Sequence, residues 1–569
     1  MMMNKLKPEN LEAVDLGSSE EESEESSSSE SESEDEEEKG KADTPPAYGY
    51  PDDGEWPPFV LISELVYIAD RRNATTATVT AAVGSNLKGS IQVTFCPVAP
   101  PLLSYLTFHA PDMDQAMLSL RPQILTTETN GGLLLLLVTV CRHPYQSVLS
   151  GNREYFVYDP RAAKLDHLPH PGRQHEFRLF TLAIVRKCNQ HCRRRTTTTA
   201  TLLRPFHLVP HGHGQGAACQ DHHHDDDCTY VVAAQAVGFG DPQTSHLCMY
   251  HSDTRTWSSK PVVLFNSYPK KIFTSKTLTI GGDKGTVAWV DLWQCIIFCD
   301  VLDEKPELRL LTLPEPIMPK KAVGHGNPRS VRNVALVGNF IKFADMHVHF
   351  DRSSRTARRW KAATWSIRTG SLSPEDWTMD HRVYSALIPP QPSLLDMLKA
   401  GAAAIKKKKK KKKKKKAADP TLSTLYVGLP NFSLQDDDAT VYFLAKIDYR
   451  DSRHTAWVLA IDMKNMTVKE VHPINAKGTL GLAHGYFASR ISAYLKPALG
   501  LVNTWRRWFG MNLATHYIAM RWVLAYAAIT QVKCQHCGDA NSEILTRTIH
   551  TSPLTSNTEK TRDAVAEIP

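Results

Sequence analysis

From Phe59 onward, hydrophobic residues occur in short runs, continuous or alternating with polar residues, and turn-forming residues separate the runs. Runs of about four to eight residues with such boundaries are typical of β-strands, whereas a helix shows apolar residues three and four apart over a longer stretch. The pattern therefore predicts an all-β fold with minor helix, including one short helix at residues 393–399. Strands are predicted at residues 91–96, 133–140, 154–158, 229–234, 286–290, 295–301 and 441–447.

A longer recurrence overlies these strands. Each copy consists of an apolar strand, a polar turn and a second strand that ends near Trp or Leu-Pro, and the copies begin near residues 155, 247, 297 and 458. This is the plan of the outer hairpin of a β-propeller blade, in which a turn side chain caps the strand pair. The spacing is only a rough multiple of the about 50 residues of a kelch-type blade. We therefore favour a degenerate β-propeller-like fold over a sandwich and leave the number of blades open.

Three stretches resemble a known family. Residues 59–62 and 67–77 resemble its opening, Val287-Ala-Trp-Val-Asp-Leu-Trp293 followed by Leu313-Pro-Glu-Pro316 resembles its most specific signature, and Ala456-Trp-Val-Leu-Ala-Ile-Asp462 resembles its closing part. The family is the plant domain of unknown function 1618 (DUF1618), which is expanded in grasses. The resemblance covers residues 59–495.

The resemblance implies an uncharacterised plant protein of the grass type, with a domain similar to the kelch-like domains associated with F-box proteins. It brings no catalytic residue and no cofactor, because none is established for the family. Residues 401–418 resemble an insertion between two strands of the family, and residues 188–228 resemble a variable loop rich in His, Cys and Asp. The resemblance fades beyond Leu495, so residues 496–569 are an unassigned tail, within which residues 511–530 predict an amphipathic helix.

Charge is distributed in separate blocks. The net charge of +7 combines an acidic block at residues 19–38, with twelve carboxylates and eight serines, and an unbroken lysine tract from Lys406 to Lys416. Residues 1–56 are Ser/Glu-rich and then Pro/Gly-rich, a composition that predicts a disordered acidic tail. Several of its serines precede a carboxylate by three residues, which favours an acidophilic kinase, although a merely solubilising tail explains the composition equally well. The β-rich body at residues 59–495 is only mildly basic.

The expected location is intracellular, in the nucleus or the cytoplasm. Eleven cysteines is an odd number, and no apolar segment follows the N-terminus, which together favour free thiols in a reducing compartment. No stretch reaches the roughly 18 to 20 uninterrupted apolar residues that span a bilayer, so no membrane contact is predicted. The lysine tract predicts non-specific contact with anions or nucleic acid that weakens with salt. Attraction between this tract and the acidic tail is a further hypothesis.

The most enzyme-like string contains His347, His349 and Asp351. Alternate residues of a strand share a face, so these three side chains are candidate ligands of a metal, as in metal-dependent hydrolases. That chemistry also needs ligands from other strands amid alternating helices, and the downstream sequence offers neither. A strand with polar residues on its wet face is the plainer explanation.

Other ligand-like or glycine-rich segments are incomplete as sites. The His/Cys/Asp-rich residues 188–228 and the lone Cys534-Gln-His-Cys537 lack a second compact ligand pair, which structural zinc sites require. Gly281-Gly-Asp-Lys-Gly-Thr286 lacks the Gly-Lys-Ser/Thr ending of a P-loop and predicts a β-turn between two strands.

The sequence therefore leaves two function classes open. The favoured one is a non-enzymatic protein-interaction module that binds a protein partner of unknown identity through loops on a propeller-like face, without a cofactor. The alternative is a metal-dependent hydrolase that uses His347, His349 and Asp351.

Overall fold

The structure is a computed structural model, and all of its described residues lie in the first of two units of the chain, Met1–Lys496. The predictions for residues 1–43, the His/Cys/Asp-rich loop, the lysine tract and the C-terminal tail fall outside the described residues. The structure describes residues 44–48, 56–81, 85–118, 120–129, 132–141, 152–187, 229–237, 245–264, 272–319, 324, 326–351, 356–389, 394, 396, 421–447, 456–474 and 485–495.

Six β-sheets form a ring, so the fold is a six-bladed β-propeller and the predicted β-propeller-like fold is confirmed. Blade 1 contains β1 (Val60–Ser63), β2 (Tyr67–Ile68), β3 (Ala77–Thr80), β4 (Ser90–Cys96), β5 (Leu103–His109) and β26 (Tyr486–Ser489). Blade 2 contains β6 (Gln123–Thr127), β7 (Leu134–Val140), β8 (Asn152–Asp159) and β9 (Lys164–Leu168). Blade 3 contains β10 (Ala183–Lys187), β11 (Thr229–Gln235), β12 (His246–His251) and β13 (Thr256–Pro261).

Blades 2 to 6 are antiparallel meanders of four strands, with the first strand of each nearest the axis of the ring. Blade 4 contains β14 (Lys276–Gly281), β15 (Thr286–Asp291), β16 (Cys295–Asp300) and β17 (Leu308–Thr312). Blade 5 contains β18 (Arg332–Val337), β19 (Phe340–Asp351), β20 (Thr356–Arg368) and β21 (Thr378–Tyr384). Blade 6 contains β22 (Tyr426–Phe432), β23 (Thr440–Lys446), β24 (Ala456–Asp462) and β25 (Thr467–Ile474).

Helical structure in the described residues is limited to short turns. Leu394 and Asp396, which belong to the predicted helix at residues 393–399, are both helical. The 3-10 turns are Gln115–Met117, Arg173–His175, Leu179–Thr181, Pro328–Ser330, Pro374–Asp376, Leu422–Thr424 and Ile491–Leu495.

All seven predicted strands are present, and the four recurrent hairpins are the third and fourth strands of blades 2, 3, 4 and 6. The predicted turn caps are present as well, because Asp159 and Asp462 each accept backbone N–H bonds from the turns that follow them. The glycine-rich residues 281–286 connect β14 to β15 as predicted. Gly285 adopts a φ of 61°, and a Cβ there would lie 2.7 Å from the Leu302 side chain.

The recurrent Trp and Leu-Pro positions are partners in successive blades. Trp257, at the start of the fourth strand of blade 3, donates its indole N–H to the carbonyl of Pro169 after blade 2, at 2.8 Å. Trp377, just before the fourth strand of blade 5, donates in the same way to Thr312, next to Leu313-Pro314 of blade 4, at 3.0 Å. The recurrence in the sequence therefore reflects contacts between neighbouring blades as well as the strand order within each blade.

Continuous apolar runs arise because a blade is covered on both faces. Every residue of β7 is buried. Leu134 and Leu136 pack with the core shared with blade 1, whereas Leu135 and Leu137 pack with the core shared with blade 3. Alternate side chains thus enter different cores, which removes the polar positions that a half-exposed strand would show.

Blade 1 closes the ring by joining both ends of the β-body. Strand β1 pairs antiparallel with β26, with Val60 opposite Ser489, and parallel with β5. Beyond β1 the chain bonds to blade 2, because the amide of Val66 donates to Pro122 and the amide of Ile124 donates to Glu64. A strand from each end of the sequence therefore completes one sheet.

Polar side chains around the axis connect the inner strands of blades 4, 5, 6 and 1. The Lys276 ammonium on β14 donates to Asn333 Oδ1 and to the Val334 carbonyl, both on β18 at 2.9 Å. Asn333 Nδ2 donates to Asn431 Oδ1 on β22 at 2.9 Å, and Asn431 Nδ2 donates to the Tyr486 carbonyl on β26 at 3.2 Å. Asn431 is buried, so these bonds satisfy groups that water cannot reach.

Threonine hydroxyls connect the other inner strands. Thr277 and Thr279 of β14 donate to the carbonyls of Leu182 and Ile184 in blade 3, each at 2.8 Å. The Thr277 hydroxyl also lies 3.0 Å from that of Thr126 on β6. We call this set of axial contacts, together with the Lys276–Asn333–Asn431–Tyr486 chain, the inner belt.

Replacing Asn431→Ala should destabilise the whole ring. The change leaves the Asn333 amide nitrogen with only its bond to the Pro430 carbonyl and removes the Asn431 donor from the Tyr486 carbonyl. Each hydrogen-bonding position left unfilled in a buried site costs about 1–3 kcal/mol. We expect the free energy of unfolding of the full chain, measured in denaturant, to fall by about 2–4 kcal/mol. Asn339→Ala, in an exposed turn of blade 5, is the matched control and should change it by less than about 0.5 kcal/mol. Equal effects of the two variants would contradict the role of the inner belt.

A buried carboxylate connects blades 1 and 2. Glu154 on β8 lies 2.9 Å from His167 Nε2 and accepts from both the backbone and the side chain of Asn86 at 2.8 Å. Burial on its own would raise the pKa of Glu154, but the hydrogen bonds from His167 and Asn86 outweigh it and hold the pKa below its usual value of 4.5. The ionised form is therefore the one that the fold stabilises.

The stability of the chain at acidic pH should consequently depend on the ionisation of Glu154. Because the folded pKa is lowered, its contribution is present above about pH 4.5 and is lost as the pH falls through the folded pKa. We expect Glu154→Gln to lower the free energy of unfolding at pH 7 by about 1–3 kcal/mol and to flatten its decline below pH 4.5. Glu304→Gln, at an exposed position, should change neither quantity, and an unchanged acid slope in Glu154→Gln would count against this assignment.

Candidate functional site

The predicted His347 and His349 lie on one face of β19, as the alternation requires. Each is paired across the strands with a cation of β20, since His347 lies opposite Lys361 and His349 lies opposite Arg359. His347 is half-buried and His349 is exposed. Asp351 is the last residue of the strand.

The electrostatic surroundings of His347 are unfavourable for a cation. Burial lowers the pKa of His347, and the charge of Lys361 lowers it further, while Asp345 opposes the shift. The imidazole is therefore neutral at pH 7, which is the form that binds metals. The same lysine that helps to keep it neutral would, however, repel a divalent ion, and directly opposite side chains lie only about 5 Å apart at Cβ.

The nearest buried carboxylate is already engaged. Asp345 is fully buried and forms a two-point ion pair with Arg332, at 3.0 Å from Nε to Oδ1 and 3.2 Å from Nη2 to Oδ2. Its Oδ2 also accepts from the Ile317 amide at 2.8 Å. Arg332 donates further to the carbonyl of Leu292 in blade 4 at 3.0 Å. This pair joins blades 4 and 5 and is explained by that role.

No group of three or more His, Cys, Asp or Glu side chains suited to a metal occurs within the described part of the chain. The structure therefore brings His347 and His349 together but adds no third ligand from the described residues. The hydrolase hypothesis stays a prediction. The ligand-rich residues 188–228 and 534–537 lie outside the described residues.

A cleft opens between blades 4 and 5, beside the two histidines. It measures roughly 340 Å³ and lies between the Glu315–Ile317 linker and the outer strands of blade 5. Lys361 of β20 lies opposite Tyr384 of β21, and Ala363 lies opposite Arg382, so the lysine, the tyrosine and the arginine share one face. Trp365 forms part of the inner wall. The cleft therefore combines cations with aromatic surface.

One end of the propeller can be identified from the topology. In a four-stranded antiparallel meander, the first strand starts and the fourth strand ends at the same end of the sheet. Thr277 and Thr279 of β14 bond to Leu182 and Ile184 in that order, so the first strands of blades 3 and 4 run in the same direction. We call this end, where the linkers between blades lie, the linker face. No helix among the described residues is long and apolar enough to cross a membrane.

Exposed apolar side chains concentrate on the linker face. Of the ten large hydrophobic residues exposed in the described part of the chain, six lie on the linker face, in a linker, at the end of a second or fourth strand, or just beyond such a strand, and three lie toward the opposite end. The tenth, Val263, follows β13 but bonds through its amide to Pro306 in the turn between β16 and β17, so it is not counted with either end. The six are Leu120, Phe180, Val237, Phe273, Tyr384 and Leu387.

Three of these residues belong to blades 3 and 4. Phe180 and Phe273 are 66% and 71% exposed, although backbone groups beside them are hydrogen-bonded to buried side chains. The carbonyl of Thr181, next to Phe180, accepts from the buried Trp289 indole at 2.7 Å, and the Phe273 amide donates to Asp291 at 3.0 Å. Trp289 and Asp291 lie on the same strand, so the two phenylalanines occupy one end of β15. With Val237 they form what we call the linker-face patch.

Sequence analysis did not identify this patch or the cleft. Phe180 and Phe273 stand in short segments between strands, where one apolar residue carries no periodic signal. The placement of Lys361, Arg382 and Tyr384 depends on the register between β20 and β21, including a shift at Thr364/Trp365.

Comparisons with known proteins give a family match and likenesses to solved structures. Residues 289–442 match the family described as "Protein of unknown function (DUF1618)". No curated protein matches the chain. Among the solved structures, the "Crystal structure of Myceliophteria_thermophila Cps50 (Swd1) beta-propeller domain" is similar at 7% sequence identity and a TM-score of 0.23, over 62% of this chain and 88% of that one. The family match runs from blade 4 into blade 6 and contains most of the central signature.

Proposed function

We propose that this chain is a non-enzymatic interaction module of a DUF1618-type plant protein, which binds a protein partner on the linker face. The observation that carries the proposal is the exposure of Phe180 and Phe273 at one end of β15, beside backbone groups that are hydrogen-bonded to buried side chains. Exposed aromatic side chains held by a rigid scaffold are the usual anchors of protein interfaces, because little conformational entropy is lost when they are buried.

The intracellular location belongs to the same proposal. Cys96, Cys141, Cys248, Cys295 and Cys299 are all buried free thiols. Free thiols are expected in a reducing compartment, where a partner protein of the cytoplasm or the nucleus would be available.

Removing the aromatic anchors should weaken partner binding. Burial of one phenylalanine contributes about 1.5–3 kcal/mol, so the double variant Phe180→Ser, Phe273→Ser should lower affinity by at least about tenfold, since 1.4 kcal/mol is a factor of ten. The partner is first captured from plant extract with the full chain and then titrated against each variant. The double variant Phe340→Ser, Leu372→Ser, at the opposite end, is the control and should bind like the unaltered chain. Equal losses in both variants would remove the linker face from the proposal.

The hydrolase alternative is tested by metal content. The two histidines share a face with Lys361 and Arg359, so we expect no zinc to depend on them. Tag-free full-length protein is washed with chelator, equilibrated with zinc and subjected to elemental analysis, alongside His347→Ala and His349→Ala. We expect the zinc content per chain to be the same in all three. A loss of one equivalent in either variant would support the metal-dependent hydrolase and contradict the non-enzymatic assignment.

A further inference from the structure

The cleft between blades 4 and 5 is lined by two cations, Lys361 and Arg382, and one acidic residue, Glu315. Arg359 lies two residues before Lys361 on β20, outside the lining of the cleft. No ion pair within the described residues involves Lys361, Arg382 or Arg359, whereas Arg186, for example, is paired with Glu128 and Asp159. Both arginines are exposed and Lys361 is half-buried. The cleft and its rim therefore carry an excess of positive charge.

The three cations have a regular spacing. Arg359 and Lys361 are two residues apart on β20, and Arg382 is placed diagonally to Lys361 on β21, all on the face toward blade 4. Alternate residues of a strand are about 7 Å apart, and diagonal cross-strand pairs are separated by about the same distance. An extended chain with a carboxylate at every second residue would match this spacing on one side.

The acidic tail contains such a chain. Residues 29–36 read Ser-Glu-Ser-Glu-Ser-Glu-Asp-Glu, so that Glu30, Glu32, Glu34 and Glu36 alternate with other residues. In an extended conformation these four carboxylates share one side at about 7 Å intervals. The serines at 29, 31 and 33 fall on the opposite side.

The tail continues from a segment that contacts blade 1. The Tyr105 hydroxyl of blade 1 lies 2.8 Å from the carbonyl oxygens of both Pro46 and Tyr48, and the Tyr48 and Tyr105 rings are 6.2 Å apart. Leu106 and Phe108 of the same strand pack toward blade 2, so Tyr105 faces the side of blade 6. The ten residues from Glu34 to Thr44 span up to about 35 Å when extended, and packed sheets lie about 10 Å apart. Tethering also raises the local concentration of the segment to the order of millimolar.

We propose that residues 29–36 of this chain bind, as an extended segment, in the cleft between blades 4 and 5. The carboxylates of the segment pair with Arg359, Lys361 and Arg382. The contact is intramolecular and does not depend on the linker-face patch. The lysine tract from Lys406 to Lys416 is the competing acceptor of the same tail, and the experiment distinguishes the two.

Zero-length carbodiimide cross-linking of the full chain, followed by peptide mass spectrometry, tests the contact. At low salt we expect links from Lys361 to Glu30, Glu32, Glu34 or Glu36, and their loss near 1 M salt, where screening acts over about 3 Å. Lys305, exposed at the opposite end of the propeller and without an ion pair in the described residues, is the matched control and should not link to the tail. Tail links confined to residues 406–416, or equally frequent at Lys305, would overturn the proposal.

Charge reversal gives a second measure. Arg382→Glu and Arg359→Glu alter exposed positions, and each should lower the yield of links to Lys361 by about fivefold, the effect of losing a partly exposed ion pair. Combining Arg382→Glu with Glu32→Lys and Glu34→Lys should restore a tail contact, seen as new links from the introduced lysines to residue 382. Unchanged yields in both single variants, with far-UV spectra that show intact folding, would exclude the cleft as the binding site.

Discussion

The inner belt is the constraint on which the rest of the ring depends. Six sheets radiate from one axis, and only their first strands come close enough for side chains to connect several blades at once. At that position burial removes water from polar groups, so each amide and hydroxyl must find a partner in a neighbouring blade. This requirement is met by the chain Lys276–Asn333–Asn431–Tyr486 and by the threonines of β6 and β14, because each side chain is long enough to reach its partner. The apolar layers between blades provide most of the burial. Apolar contacts have no preferred direction, however, so they fix the relative position of two blades less strictly than a hydrogen bond does.

In such a ring, the residues that are available for function lie at the ends and the outer edges of the blades. Residues within strands such as β7 are committed to two cores, and the ion pair of Arg332 with Asp345 is committed to the contact of blades 4 and 5. Residues in the linkers and the outermost strands are not committed to such contacts between blades, so aromatic and charged side chains there are available for contacts with other molecules. Phe180 and Phe273 lie at the starts of blades 3 and 4, and Lys361 and Arg382 lie in blade 5, so these side chains span three successive blades.

Much of the fold was predictable, since blade strands are short, bounded by turns and buried on both faces. The hairpins of blades 2, 3, 4 and 6 stood out because Asp159 and Asp462 cap similar turns and because Trp257 has a Leu-Pro partner. Blade 5 did not stand out, because its middle strands are 12 and 13 residues long and contain register shifts. Blade 1 was hidden because its strands come from opposite ends of the body. The pairing of His347 with Lys361 depends on cross-strand register, which alternation along a single strand does not reveal.

Closure through β1 and β26 has a consequence for how the molecule is made. Val60 is synthesised more than 400 residues before its partner Ser489. Contacts between such distant positions form late, because the entropy of closing a long loop must be overcome before the pairing contributes any stability. During synthesis, blades 2 to 6 can assemble in order as their strands emerge, while β1 keeps an unpaired edge until the final strand arrives. An open edge of this kind attracts other strands, so the interval before closure is when this chain is most exposed to misassembly.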